Sequence, residues 1–155
     1  MSADLQISTV LIELSQHETE SKYKINKIIK YFFPTELRDQ LQNLITVHHL
    51  QGYHKNRIKL FKIQSGNKKI NSKIFTELMN NFSPKPDFEL FWERFNSKNN
   101  SLYLRINKQE VIKSRQFRLD EGSDIVKIVF KFFILNNIKN NESRLKKFLN
   151  KQLFG

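Results

Sequence analysis

Histidines are the residues of this chain whose chemistry would best suit cleavage of a phosphodiester. Such cleavage generally needs paired histidines for proton transfer or clustered carboxylates that hold a metal ion. His48 and His49 are adjacent in a predicted strand, so their side chains point to opposite faces, and His54 follows in a predicted loop. A metal-dependent nuclease that uses His48 or His54 with an acid from elsewhere is therefore the third of three hypotheses.

Carboxylates and glycines give no stronger indication of catalysis. The acids that lie close together in the sequence surround a glycine and a serine, as in a hairpin turn: Asp120, Glu121 and Asp124. The chain has no cysteine and only four glycines, and it lacks a glycine-rich phosphate loop, a nucleophile elbow and a dinucleotide fingerprint. We therefore expect that the protein is not an enzyme and that it has no metal site and no cofactor.

Positive charge is the strongest compositional feature. The formal net charge is +12, yet residues 1–50 hold five Lys/Arg against six Asp/Glu, so the excess lies in residues 51–155. Residues 53–76 contain seven Lys/Arg and no acid. A lysine-rich solvated surface of the kind that an AT-rich genome encodes is the plain alternative. The one-sided excess favours a polyanionic partner, with the cationic groups gathered over one side of the molecule.

The basic stretches predict the residues that contact such a partner. We expect phosphate contacts from two groups of cations: Arg57, Lys59, Lys62, Lys68 and Lys69 in the first, and Arg105, Lys108, Lys113, Arg115 and Arg118 in the second. Unpaired bases can stack on tyrosine rings, and the two candidates are Tyr53 and Tyr103. Ordinary surface packing is the alternative for each tyrosine.

Hydrophobic periodicity predicts the elements that position these residues. Alternation indicates strands over residues 7–14, 44–50, 57–64, 101–107 and 125–133, and helical spacing indicates helices over 22–33, from about residue 71, and after Asp87. A short helical turn is expected over 35–42. This order predicts an α+β fold in which a mixed, mainly antiparallel sheet has helices packed on one face. Arg105, Lys127 and Lys131 would then lie on the open face.

We expect one domain over residues 1–135 and a basic C-terminal extension over 136–155. In the extension, residues 142–153 either form a helix or fray. No apolar run is long enough to span a membrane, and no signal peptide is evident, so a cytoplasmic protein is expected.

Two segments resemble a known family. The run Leu102-Tyr103-Leu104-Arg105-Ile106-Asn107-Lys108-Gln109, then Phe117-Arg118-Leu119 and residues 122–128, resembles the C-terminal signature of small archaeal proteins described as predicted RNA-binding or exosome-associated. That signature usually has Asp at the position of Asn107. Residues 52–58 resemble the family's loop, which usually has Gly and Pro where Lys55 and Arg57 stand. The resemblance extends from the first strand to about Phe132.

The resemblance implies an RNA ligand and a fold similar to the ribosomal protein that carries the five-S RNA. It points to His54, Asn56, Arg105, Lys108 and Gln109 as contacts. Amide groups can read a base edge or a ribose hydroxyl, while Arg and Lys hold phosphates. The alternatives are that Lys108 and Gln109 cap a strand end and that Asn56 occupies a left-handed turn.

The main hypothesis is therefore a non-catalytic protein that docks structured RNA through a basic surface, as an accessory to RNA processing, RNA decay or ribosomal RNA handling. The second hypothesis is a protein-interaction module of a ribonucleoprotein complex, in which the basic face meets an acidic protein or the C-terminal helix packs on a partner. A homodimer is compatible with both.

Overall fold

A six-stranded sheet is the centre of the computed structural model, which describes residues 5–52, 56–134 and 141–155. All pairings between its strands are antiparallel, and the strand order is β2-β3-β1-β6-β5-β4. The strands are β1 Leu5–His17, β2 Ile45–Gln51, β3 Arg57–Ser65, β4 Phe95–Asn96, β5 Ser101–Asn107 and β6 Ile125–Ile134.

Helices cover one face of this sheet and confirm the predicted α+β class. They are α1 Lys22–Tyr31, a 3-10 helix Thr35–Gln40, α2 Leu41–Leu44, α3 Lys68–Asn80, α4 Phe88–Trp92, α5 Lys108–Ser114 and α6 Asn141–Phe154. No helix in the described ranges is long and apolar enough to cross a membrane.

The core lies between the helices and the alternating apolar residues of the strands. In β1, Val10, Ile12 and Leu14 are buried, whereas the residues between them are only partly covered. The helices add apolar stripes from the opposite side, and α1 contributes Ile25, Ile28 and Ile29. Because side chains alternate across a strand, the polar residues of the same strands point away from the core.

Asn67 and Asn71 fix the position of α3. The Asn67 side chain accepts hydrogen bonds from the backbone N–H groups of Lys69 and Ile70, so the helix begins at Lys68 rather than near Asn71. Asn71 is buried, and its Nδ2 donates to the Ile7 carbonyl at 3.0 Å. This bond joins α3 to β1 beside the register shift between Ile7 and Thr9.

The C-terminal helix α6, Asn141–Phe154, packs against α3. Leu145, Leu149 and Leu153 repeat every four residues and are all buried. The Phe148 ring stacks on Phe75 of α3, with 5.8 Å between the ring centres. Residues of the proposed extension therefore contribute directly to the hydrophobic core.

Candidate nucleic-acid interface

One row of charged side chains crosses the uncovered face of the sheet, which we call the open face. Cross-strand pairing places Arg105 beside Lys127, Lys127 beside Glu13, Glu13 beside Lys62, and Lys62 beside Thr46. Neighbouring strands lie about 4.8 Å apart, so these side chains form one line across five strands. The row holds three cations and one acid, with 3.8 Å between Lys62 Nζ and Glu13 Oε1.

The next row of the open face has two apolar residues between a tyrosine at one end and a glutamine at the other. Tyr103 pairs with Val129, Val129 with Leu11, and Leu11 with Gln64. The Tyr103 side chain is 37% exposed, and its hydroxyl accepts a hydrogen bond from Asn99 Nδ2 at 2.9 Å. Its aromatic ring therefore lies at the surface, next to the row that carries the charges.

Further cations extend the open face toward the C-terminal end of β6. Lys131 is exposed and pairs with Thr9 of β1, and Phe133, two residues on, is 47% exposed. Lys68 and Lys69 are also exposed near this end of the sheet, but they begin α3, which packs on the helical side, so they are not part of the open face. Lys131 forms no ion pair with any described residue.

The loop after α5 lines the outer edge of β5. Leu119 bridges to Ile106, and the Asp120 N–H donates to the Arg105 carbonyl. By alternation, Arg118 and Asp120 lie on the side of Arg105 and Asn107. Arg118 is exposed, and Arg105 Nη2 donates to the Gly122 carbonyl at 2.6 Å. Part of the Arg105 guanidinium is thus used to hold this loop.

Hydrogen bonds to the ionised carboxylate lower the pKa of Asp120. The hydrogen bond from the Gly122 backbone N–H lowers this pKa most, followed by the one from the Asn107 side chain. Partial burial raises the pKa, and the positive charge of Arg118 lowers it further. The Asn107 amide donates to Asp120 Oδ2 at 2.6 Å. The carboxylate therefore joins the loop to the point where β5 ends and α5 begins.

This shift predicts how stability depends on pH. A carboxyl group whose pKa is lower in the folded state stabilises the fold above its unfolded pKa of about 3.9. That contribution disappears as the pH falls through the folded value. We expect Asp120→Asn to reduce the acid-induced loss of stability below about pH 4, as measured by urea unfolding between neutral and acidic pH. An unchanged pH profile in the variant would contradict this assignment.

Lys108 does not lie where the sequence led us to expect an RNA contact. Its side chain is 1% exposed. Its Nζ donates to the Ser15 carbonyl at 2.6 Å and to Glu20 Oε1 at 2.8 Å, and it lies 3.6 Å from Asp124 Oδ1. A buried ammonium with these partners cannot reach a phosphate, so we remove Lys108 from the interface and assign it a structural role.

Gln109 and Asn56 make contacts within the chain. Gln109 is exposed, and its Nε2 donates to Asp124 Oδ2 at 2.8 Å. The Asn56 carbonyl accepts a hydrogen bond from the Gly52 N–H at 2.7 Å, which joins the end of β2 to the start of β3. Tyr53 and His54, the two other candidates from this loop, lie outside the described residues.

The remaining predicted contacts are distributed over other surfaces. Arg57 and Lys59 alternate with Lys62 in β3, so they point to the opposite side of the sheet. Lys113 and Arg115 lie on or directly after α5, which packs against α1 on the helical side. The expectation that all the cationic groups gather over one side was therefore wrong. The open face unites Lys62, Tyr103 and Arg105, with Arg118 at its edge.

The histidines are separated as the alternation predicts. His48 pairs with Leu60 and His49 with Lys59, so the two rings lie on opposite faces of β2. The His48 ring lies 3.4 Å from Thr46 Oγ1, measured from Nε2. Among the residues that the structure describes, no group of three or more His, Asp or Glu side chains is arranged to hold a metal ion.

Sequence reasoning missed two members of the open face. Phe133 was treated only as part of an apolar strand, although its odd position in β6 places it with Lys127 and Lys131. Glu13, the single acid of the charged row, lies between Ile12 and Leu14 in β1, so the same alternation places it on the open face and could have identified it.

The fold and its open face define a small α+β protein with a cationic, partly aromatic sheet surface. A family model described as RNA binding matches residues 9–132, which is most of the chain. The chain therefore belongs to this RNA-binding family. No curated protein matches it.

Three solved archaeal structures, each described as DUF54, share the fold over nearly their whole length. The protein from Archaeoglobus fulgidus is 19% identical, with a TM-score of 0.70 over 95% of this chain and 99% of that one. The protein from Sulfolobus solfataricus is 24% identical, with a TM-score of 0.68 over 93% and 98%. The protein from Methanothermobacter thermautotrophicus is 17% identical, with a TM-score of 0.70 over 96% and 98%.

Proposed function

We propose that this protein binds structured RNA on the open face of its sheet and performs no chemistry on it. The observation that carries the proposal is the cross-strand register, which aligns Arg105, Lys127 and Lys62 on a face that no described helix covers. Lys and Arg neutralise phosphates and release counterions, which gives affinity with little sequence preference. Family membership supports RNA as the polyanion.

Tyr103 supplies a contact of a different kind in this proposal. Single-stranded loops and bulges expose unpaired bases, and sheet-face proteins stack such bases on aromatic side chains. The exposed ring of Tyr103 adjoins the cationic row, so a phosphate and its base could be held at once. A stem-loop with unpaired loop bases is therefore the RNA class that fits this face.

The role and location that follow are part of the same proposal. An RNA-docking protein without catalytic residues would act as an accessory to RNA processing or decay, in association with an exosome, or in ribosomal RNA handling, and would work in the cytoplasm. Co-purification from the native host, followed by sequencing of bound transcripts and identification of bound proteins, distinguishes the exosome from the ribosome.

Replacing Tyr103 tests the stacking contact. We expect Tyr103→Ala to weaken binding of a stem-loop RNA by about 1–3 kcal/mol, because one base loses its stacking partner. Tyr103→Phe is the matched control, since it keeps the ring and loses only the hydroxyl that Asn99 contacts. Fluorescence anisotropy at two salt concentrations measures both. Equal affinities for the alanine and phenylalanine variants would exclude stacking, and an affinity that does not fall with salt would exclude phosphate-driven binding.

One structural feature favours the alternative, a protein-interaction module. β2 is an edge strand whose outer side pairs with no other described strand, and Val47 and Leu50 are 43% and 50% exposed. Free strand edges pair with other strands. If this edge carries the function, Val47→Lys and Leu50→Lys should abolish self-association or partner binding in sedimentation experiments and leave RNA affinity unchanged or slightly higher.

A further inference from the structure

A second polar site lies on the helical side of the molecule, away from the open face. It is a pocket of about 180 Å³ between the end of α1, the 3-10 helix, the end of α3 and the loop after α5. The buried rings of Phe33 and Phe117 line its apolar part. Its polar lining consists of Tyr31, Thr35, Arg38, Glu77, Asn81 and Arg115.

Arg115 is held in this pocket by an unusual backbone conformation. Its φ of 58° and ψ of 27° are left-handed, and they end α5 with a residue that is not glycine. The guanidinium carbon lies 5.2 Å from the centre of the Tyr31 ring, and Nε donates to the Tyr31 hydroxyl at 3.1 Å. This contact orients the side chain and leaves both Nη groups without a partner among the described residues.

Arg38 contributes a second guanidinium from a different element. Its Nη2 donates to the Lys30 carbonyl at 3.2 Å, which fixes the side chain at the end of α1. Its Nε is buried and has no hydrogen-bond partner among the described residues. An unsatisfied buried donor is unfavourable, so an oxygen acceptor bound beside this guanidinium would be stabilised.

The local field favours an anion. Although partial burial opposes ionisation, hydrogen bonds from Arg115 and Lys27 and their positive charges lower the pKa of Tyr31. Lys27 Nζ lies 5.9 Å from the centre of the same ring. Glu77 is the one acid of the lining and reduces, without cancelling, the charge of the two guanidinium groups.

Size and chemistry together select the ligand. The pocket is smaller than the roughly 300–1,000 Å³ typical of sites for whole small molecules. Two guanidinium forks suit the oxygen geometry of phosphate better than that of a simple halide. We propose that this pocket binds a single phosphate group, supplied as free inorganic phosphate or as the terminal phosphate of an RNA. The site goes beyond the proposed RNA-docking function, because it involves no residue of the open face.

Inorganic phosphate titrated into the full-length protein is the first test. We expect saturable shifts of the Arg38 and Arg115 Nε–H resonances in ¹⁵N-correlated spectra, and heat of binding in calorimetry, at an ionic strength held constant with chloride. Arg38→Gln and Arg115→Gln should each weaken the affinity at least about tenfold, as expected for the loss of a charge-assisted hydrogen bond. Glu77→Gln should strengthen it, because the variant removes the opposing charge.

Matched controls separate a built site from general charge. Lys113→Gln removes the same charge as Arg115→Gln from an exposed position two residues away, and it should leave phosphate affinity unchanged. Arg115→Lys keeps the charge without the fork and should bind phosphate more weakly than the wild type. Retained thermal unfolding transitions show that each variant is folded. Equal losses in Lys113→Gln and Arg115→Gln would overturn the proposal, as would the absence of saturable shifts.

A comparison of two RNAs identifies the source of the phosphate. RNAs of one sequence carrying either a 5′-phosphate or a 5′-hydroxyl are compared on the wild type and on Arg38→Gln. A preference for the 5′-phosphate that Arg38→Gln removes assigns the pocket to RNA ends. Phosphate binding without such a preference assigns it to the free ion. Neutralising Lys127 should leave phosphate affinity intact, so failure of the open-face proposal and failure of this one are distinguishable.

Discussion

Replacing Lys108 by alanine should lower the free energy of unfolding by about 3–5 kcal/mol, as expected when one partner of a buried ion pair is removed. Removing the ammonium leaves the Glu20 carboxylate and the Ser15 carbonyl without the donor that now lies 2.8 and 2.6 Å away. The same ammonium joins β1 to α5, so its loss also loosens the contact between them. Urea unfolding at neutral pH measures the change.

Lys113→Ala is the control for this experiment. Lys113 is an exposed residue of the same helix, and its loss should change the free energy of unfolding by less than about 0.5 kcal/mol. At a temperature where both variants are folded, each should bind RNA like the wild type. A stable Lys108→Ala protein that has lost RNA affinity would show instead that Lys108 is a direct contact.

Neutralising Lys127 and Lys131 together should cause the largest loss of RNA affinity. Each phosphate contact contributes about 0.7–0.9 to the slope of log K against log salt. A Lys127→Gln/Lys131→Gln variant should therefore lose about 1.4–1.8 from that slope, which corresponds to roughly 25- to 60-fold weaker binding near 0.1 M salt. Anisotropy titrations over a range of salt concentrations give both quantities.

The matched control removes the same number of positive charges from α6 instead of from the open face. Lys147 and Lys151 are exposed there, four residues apart, and Lys147→Gln/Lys151→Gln lowers the net charge by the same two units. If RNA is attracted only by total charge, the two double variants will lose affinity equally, and the open face has no special part. A loss confined to the Lys127/Lys131 variant supports the proposed surface.

Local patterns predicted most of the fold because each element carries its own signal. The alternation in β6 and the helical spacing in α1 required no knowledge of distant residues, and Ser21 caps α1 as a serine at that position predicts. The start of α3 was placed too late because Asn67 was not recognised as its cap. The helix α5 was missed, although Asn107 with Glu110 three residues later is a capping pattern.

Long-range contacts explain why the site was predicted only in part. Side chains alternate along β3, so Lys62 and Lys59 point to opposite faces of the sheet. The sequence alone was enough to show this, and their assignment to one surface was an avoidable error. The burial of Lys108 was not readable, because its partners Ser15 and Glu20 lie about ninety residues earlier in the chain. The pocket of Arg38 and Arg115 likewise exists only after α1 and α5 pack together.

If RNA binds the open face as proposed, Glu13 would favour some RNAs over others. Its carboxylate lies between Lys62 and Lys127, so a flexible polyanion lying flat across the sheet would meet repulsion at its midpoint. A rigid ligand whose phosphates reach only the two flanks would avoid that penalty. We therefore expect Glu13→Gln to raise the affinity for unstructured homopolymers more than for folded RNA. The wild-type carboxylate would then disfavour nonspecific binding of unstructured RNA.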